Sequence, residues 1–251
     1  MELFIPGPAG KLEAVYWPAS GERARAAAVM CHPHPLHGGT MNSSVVFRAS
    51  RGLQLAGVDV LRFNFRGAGR SEGVHDGRGG ELEDLRAALD WLDERSSTGR
   101  SSGAERTPDA PSGNDTERST DGQRASDTVH GRSIDRSDGI ERWVGGFSFG
   151  SRTAAALAVD DERVARVVLI ALPVKAFDCS FVRRLAKPGL IVTAEHDEYG
   201  GRSDLLARFP DLHPGLEIVE IPGTGHFFEG ATHELQRLVR DWAQRTLAAR
   251  T

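Results

Sequence analysis

Short apolar runs alternate along the chain with longer stretches whose apolar residues recur every third or fourth position. The runs fit strands buried on both faces, and the periodic stretches fit amphipathic helices packed on a sheet. Residues 12–17, 26–31, 58–65, 140–145, 164–172, 190–194 and 216–221 read as strands. Residues 45–55 read as a helix with Gly57 as its stop, and residues 81–92 place Leu82, Leu85, Ala88, Leu89 and Leu92 on one helical face. The alanine-rich residues 151–159 and the closing residues 233–247 supply two further helices. This alternation predicts an α/β fold. It would have a mostly parallel central sheet with antiparallel N-terminal strands, helices on both faces and no large cap domain.

Residues 96–138 break the pattern. They are rich in Ser, Thr, Gly, Asp and Arg, contain no Phe, Tyr or Trp, and carry only Val129 and Ile134 as larger aliphatic side chains. Such a segment buries too little apolar surface to offset the entropy of ordering it. It also stands where a connection of about 2–6 residues is usual. The expectation is one domain spanning residues 1–251 with a disordered polar insertion at about residues 96–138, away from the catalytic ends of the strands. A lid over the site is the lesser reading, because lids present apolar residues to substrate.

Length and charge narrow the function. The chain has 251 residues and a formal net charge of −4, which gives no electrostatic case for nucleic acid or an anionic membrane as partner. Cys31 and Cys179 match neither a disulfide framework nor a metal motif, and Cys31 at the end of an apolar strand reads as a small buried hydrophobe. The first residues, Met1 to Pro6, lack the basic and apolar regions of a signal peptide, and no apolar run approaches the ~18 residues of a membrane span. A soluble cytoplasmic protein is expected.

The candidate chemistry centres on Gly146-Phe147-Ser148-Phe149-Gly150, set between a strand and a helix. Glycines two before and two after the serine leave room for a sharp, strained turn that lifts the hydroxyl clear of the sheet. A serine hydroxyl needs a base to take its proton and an acid to orient that base. Downstream, the strand at residues 190–194 runs into Glu195, His196, Asp197 and Glu198, and the strand at residues 216–221 runs into a loop carrying His226. His226 is favoured among the nine histidines because it alone follows a strand after the acids and precedes a closing helix. Among the acids Asp197 is favoured, since three residues beyond Ala194 give the loop reach to turn toward an imidazole. Glu195 reads as a strand-end residue and Glu198 as a solvated one.

An oxyanion hole pairs the amide after the nucleophile, that of Phe149, with a second donor from a loop after an early strand. That loop is Cys31-His32-Pro33-His34-Pro35-Leu36-His37-Gly38-Gly39-Thr40-Met41. Pro33 and Pro35 have no N–H to offer, and the amide of His34, two residues after His32, is the selected donor. The nearby His32, His34 and His37 raise the question of a metal. Cys31 reads as a buried hydrophobe and no nearby carboxylate completes a ligand set, so neither metal nor cofactor is expected.

Taken together, these strings resemble the α/β-hydrolase superfamily, and most of all a compact bacterial subgroup related to dienelactone hydrolases and small carboxylesterases. The resemblance rests on His32-Pro33-His34-Pro35 with Gly38-Gly39-Thr40-Met41, and on Arg62-Phe63-Asn64-Phe65-Arg66-Gly67-Ala68-Gly69-Arg70-Ser71-Glu72-Gly73. Residues 145–150 and Gly225-His226-Phe227-Phe228 complete it. It implies Ser148 as nucleophile, His226 as base, Asp197 as acid and the amides of His34 and Phe149 as oxyanion donors. It further implies a structural role for Arg66 and Ser71 in the turn after residues 58–65. Residues 173–188 are too short for a cap, and their Phe177, Phe181 and Val182 either line one wall of an open pocket or pack on the core. The expected function is hydrolysis of a small-molecule ester. Acyl transfer, amide or thioester cleavage, and a non-catalytic binding role on the same fold are the alternatives.

Overall fold

The computed structural model describes residues 2–21, 24–75, 77–98 and 139–249. Eight strands form one sheet: β1 (Glu2–Gly7), β2 (Gly10–Trp17), β3 (Ala26–Cys31), β4 (Val58–Phe63), β5 (Glu141–Phe147), β6 (Val164–Ile170), β7 (Gly189–Ala194) and β8 (Leu216–Ile221). Among the described residues five α-helices accompany them: α1 (Ser44–Leu55), α2 (Gly80–Thr98), α3 (Phe149–Asp160), α4 (Arg202–Arg208) and α5 (Thr232–Ala248). The strand order is β1-β2-β4-β3-β5-β6-β7-β8, with β1, β2 and β4 paired antiparallel and the remaining pairings parallel.

The parallel strands are apolar on both faces because helices cover both. In β3, Ala27, Val29 and Cys31 join the core under α2 and α3, while Ala26, Ala28 and Met30 join the core under α1 and α5. That alternation is the period of two expected of a strand between two layers. On α5, Leu235, Val239, Trp242 and Leu247 form the buried stripe, and Trp242 packs on Trp143 of β5 with ring centroids 5.3 Å apart. Cys31 is fully buried, and burial pushes its thiol up, as suits a small core hydrophobe.

Several elements differ from the sequence reading. Strand β4 stops at Phe63 rather than at residue 65, because one last bond to β2 follows and the backbone then turns to another partner at Phe65. Asn64 N–H donates to Glu13 O at 2.8 Å, and Phe65 N–H donates to Nε2 of the His32 ring at 2.9 Å. Helix α2 runs on to Thr98, so residues 96–98, read as the start of the polar stretch, belong to its last turn. Residues 99–138 of the expected insertion lie outside the described residues. Strand β1 and helix α4 had no distinct apolar signature. Strand β1 lies at the sheet edge with Ile5 as its one fully buried residue, and α4 is only seven residues long.

The register lines up the strand ends that matter. Cys31 pairs with Gly146, Phe147 with Ile170, and Ala194 with Ile221. The loops after β3, β5, β7 and β8 therefore emerge along one edge of the sheet. The chain leaves β3 for β4 on one side and returns to β5 on the other. Open α/β sheets form their crevices at such a reversal of strand order.

Candidate active site

Ser148 occupies the turn between β5 and α3 with φ 54° and ψ −119°, a conformation that L-residues rarely adopt. The two flanking glycines explain how the turn fits. A Cβ on Gly146 would lie 2.7 Å from the Cys31 carbonyl oxygen, and one on Gly150 would lie 2.5 Å from both the Cys31 and His32 oxygens. Backbone contacts that close exclude any side chain. The turn is held by Ser148 N–H donating to Ile170 O at 2.9 Å and by Ser151 Oγ donating to Ser148 O at 2.7 Å.

His226 arrives from the loop after β8. Its Nε2 lies 2.9 Å from Ser148 Oγ, and its Nδ1 lies 2.9 Å from each carboxylate oxygen of Asp197. The His226 and Asp197 side chains are 3% and 1% exposed, so the pair is shielded from water, while Ser148 is partly open. A carboxylate accepting at Nδ1 places the ring proton there and leaves the Nε2 lone pair to accept from the serine hydroxyl. Asp197 is fixed in turn by Tyr199 N–H, which donates to Oδ1 at 2.9 Å. Phe147, Tyr199 and Phe227 pack around the imidazole with centroids 4.6–5.2 Å away. Glu195 and Glu198 are exposed. Glu195 accepts Gly223 N–H at 2.8 Å, which ties the acid loop to the histidine loop.

A structure from Coxiella burnetii, described as an α/β serine hydrolase homologue, is 31% identical to this chain, with a TM-score of 0.74 over 96% of each chain. The chain belongs to the α/β serine hydrolase family. A serine hydrolase without a lid from Xanthomonas campestris is 27% identical to this hydrolase, with a TM-score of 0.72 over 98% of this chain and 94% of its own. An uncharacterized protein of Rickettsia prowazekii is 30% identical over 249 residues, covering 96% of this chain and 87% of its own. No family model matches the chain.

In this hydrolase the loop after β3 hangs on His32. The His32 ring is fully buried, with Nδ1 2.6 Å from Pro33 O and Nε2 accepting from Phe65 N–H. Only the neutral ring protonated at Nδ1 satisfies both partners, and burial lowers its pKa to about 4. His34 follows, its carbonyl accepting from the amides of His37 and Gly39 at 3.1 Å each. Gly39 has no room for a side chain, since a Cβ there would lie 2.1 Å from Pro33 O. The His34 ring packs on the Phe149 ring at 4.8 Å. Phe149 is the first residue of α3, where an N–H has no acceptor within the helix. No described residue accepts a hydrogen bond from the His34 or Phe149 amide. Burial, followed by the nearness of the His75 and His37 imidazoles, lowers the His34 imidazole below its ordinary range.

Arg66 and Ser71 do what the resemblance implies. Arg66 grips the fully buried Asp84 of α2 with its backbone N–H and its guanidinium, and Ser71 Oγ donates to Asn64 O at 2.6 Å while accepting Glu13 N–H. Of the expected pocket residues, Phe177 and Phe181 line a cleft of about 510 Å³ beside Phe149, but Val182 is buried in the core and does not. The cleft brings in His75 and Glu81, which the sequence reading passed over because they sit on different elements and belong to no motif. Among the described residues, no group of three or more His, Cys, Asp or Glu is placed to hold a metal ion. Nor, among them, is any helix long and apolar enough to cross a membrane.

Proposed function

We propose that this hydrolase cleaves a small carboxylic ester through an acyl-enzyme intermediate, with Ser148 as nucleophile, His226 as general base and acid, and Asp197 as the residue that orients the imidazole. The observation that carries the reading is the unbroken hydrogen-bonded line from Ser148 Oγ through His226 to the buried Asp197. Ser148 Oγ attacks the ester carbonyl as its proton passes to His226 Nε2, and Asp197 stabilises the imidazolium that forms. Negative charge collects on the former carbonyl oxygen. The Phe149 amide at the N-terminus of α3 and the His34 amide are the donors assigned to it, and loss of one such donor typically costs ~10²–10³ in kcat. Collapse of the intermediate expels the alcohol, which takes the proton from His226. Water, activated by the same imidazole, then attacks the acyl-serine, and a second collapse returns the serine and releases the acid.

The test compares wild type and Ser148→Ala on p-nitrophenyl acetate and butyrate, in steady state and in the first turnover. The expected result is a nitrophenolate burst equal to the enzyme concentration in wild type and none in the variant. Equal hydrolysis by both proteins would refute the assignment.

A further inference from the structure

An oxyanion hole works only if its two donors keep a fixed spacing, here the amides of Phe149 and His34. The loop after β3 that carries the His34 amide is tied at both ends to β4 and the residues just beyond it. At the near end, Phe65 N–H donates to the His32 ring. At the far end, side chains take both backbone groups of the buried Met41. Its N–H donates to Asn64 Oδ1 and its carbonyl accepts from Arg62 Nη1, each at 2.8 Å. Between these ends the chain closes on itself. The His34 carbonyl accepts the His37 and Gly39 amides, and Gly39 packs on Pro33 O without room for a side chain. Gly39 stands two residues before Met41, so a closed turn hangs from that anchor.

The two side chains that hold Met41 differ in what else they do. Asn64 is woven into the fold, since its Nδ2 donates to Glu13 Oε2 at 2.8 Å and its carbonyl accepts from Ser71 Oγ. Arg62 has little beyond Met41. It is 3% exposed, and its Cζ lies 4.1 Å from the Trp17 ring centroid and 5.2 Å from that of Phe47. Among the described residues no carboxylate pairs with it, and its Nε is sealed from solvent without a hydrogen-bond partner. Burial lowers its pKa to about 10. A buried cation with one carbonyl for a partner and an orphaned N–H works against stability, and the aromatic faces offset only part of that. The guanidinium does fix the Met41 carbonyl.

We infer, on the ester-hydrolase reading above, that Arg62 is a positioning residue, kept in the core at a cost to stability because it holds the oxyanion loop through Met41. Its hydrogen bond goes to Met41 and not to the triad, so it acts on the reaction through the backbone of residues 34–41.

The test is Arg62→Met, which keeps an unbranched stem against Trp17 and Phe47 and leaves behind a neutral carbonyl rather than an unpaired charge. Arg62→Leu is measured beside it, so that poor packing of one side chain is not mistaken for a role. The readings are the urea midpoint, kcat on p-nitrophenyl butyrate and the inhibition constant of butaneboronic acid. That acid adds to Ser148 as a tetrahedral anion and reports on the oxyanion site without turnover. The midpoint should equal or exceed that of wild type. In contrast, kcat should fall about 10–100-fold, as expected when one oxyanion donor is displaced by about an ångström. The inhibition constant should rise by a similar factor. Variants as active as wild type overturn the inference. So does a midpoint lowered in both, which would make the guanidinium a stabilising part of the core. Fluorophosphonate labelling of wild-type Ser148 separates the two levels. Labelling together with fully active Arg62 variants removes this inference alone, and failure to label removes the hydrolase reading beneath it.

Discussion

Replacing His32 with leucine should destabilise the protein at neutral pH and leave it less sensitive to acid. The imidazole is completely buried, receives Phe65 N–H at Nε2 and donates from Nδ1 to Pro33 O. Leucine fills much of the same space but abandons the buried Phe65 N–H, at a cost of about 1–3 kcal/mol. Acid acts on wild type through the same ring. The folded protein holds His32 neutral down to about pH 4, against an ordinary value of 6.5. Because the folded pKa is lowered, the unfolded chain binds more protons between those values. The stabilising contribution is therefore complete above about pH 6.5 and is lost as pH falls toward about 4. Between pH 7.5 and pH 5 that loss amounts to about 2 kcal/mol. Urea unfolding of both proteins at the two pH values checks this, since other titrating groups cancel in the difference. The wild-type advantage at pH 7.5 should shrink by about 2 kcal/mol at pH 5. An advantage of equal size at both pH values would refute the role assigned to the buried ring.

Three further substitutions bear on the site. Asp197→Asn should lower kcat on a p-nitrophenyl ester by about 10³–10⁴-fold, since an amide cannot hold the imidazolium or fix its tautomer. Glu195→Gln keeps an oxygen for Gly223 N–H and should change kcat by no more than about threefold, and the reverse ranking would reassign the acid. Gly150→Ala pushes a Cβ to 2.5 Å from two backbone oxygens and should cost more than about 3 kcal/mol in chemical denaturation. A soluble, fully active Gly150→Ala protein would contradict the close approach of α3 to the β3 strand end.

The core of the architecture was legible because its signals are local. Strand β3 was read to its ends because it is an apolar run between polar residues, and β8 because its apolar positions, interrupted by Glu217 and Glu220, lie between Gly215 and Pro222. The candidate serine, acid and histidine were selected through chain order, since each follows a strand and the parallel register brings those ends to one edge. The unread parts are those that depend on distant partners. The end of β4 is set by the His32 ring, 33 residues away, and no propensity at residues 64–65 records that. Apolar character alone left Val182 open between pocket and core, and only the folded chain places it in the core. The pairing of His75 with Glu81 links a glycine-rich loop to the first turn of α2 and appears only when both are folded against Phe149. Likewise, the contribution of Glu195 is to the backbone of a loop that follows a different strand.

The central claim is that Ser148 is made nucleophilic by His226. Incubation with a fluorophosphonate, followed by intact-mass measurement and peptide mapping, tests it most directly. The account predicts one adduct per chain, carried by Ser148, formed rapidly in wild type and slowed at least ~10³-fold in His226→Ala. An adduct on another residue, or undiminished labelling without His226, would contradict it.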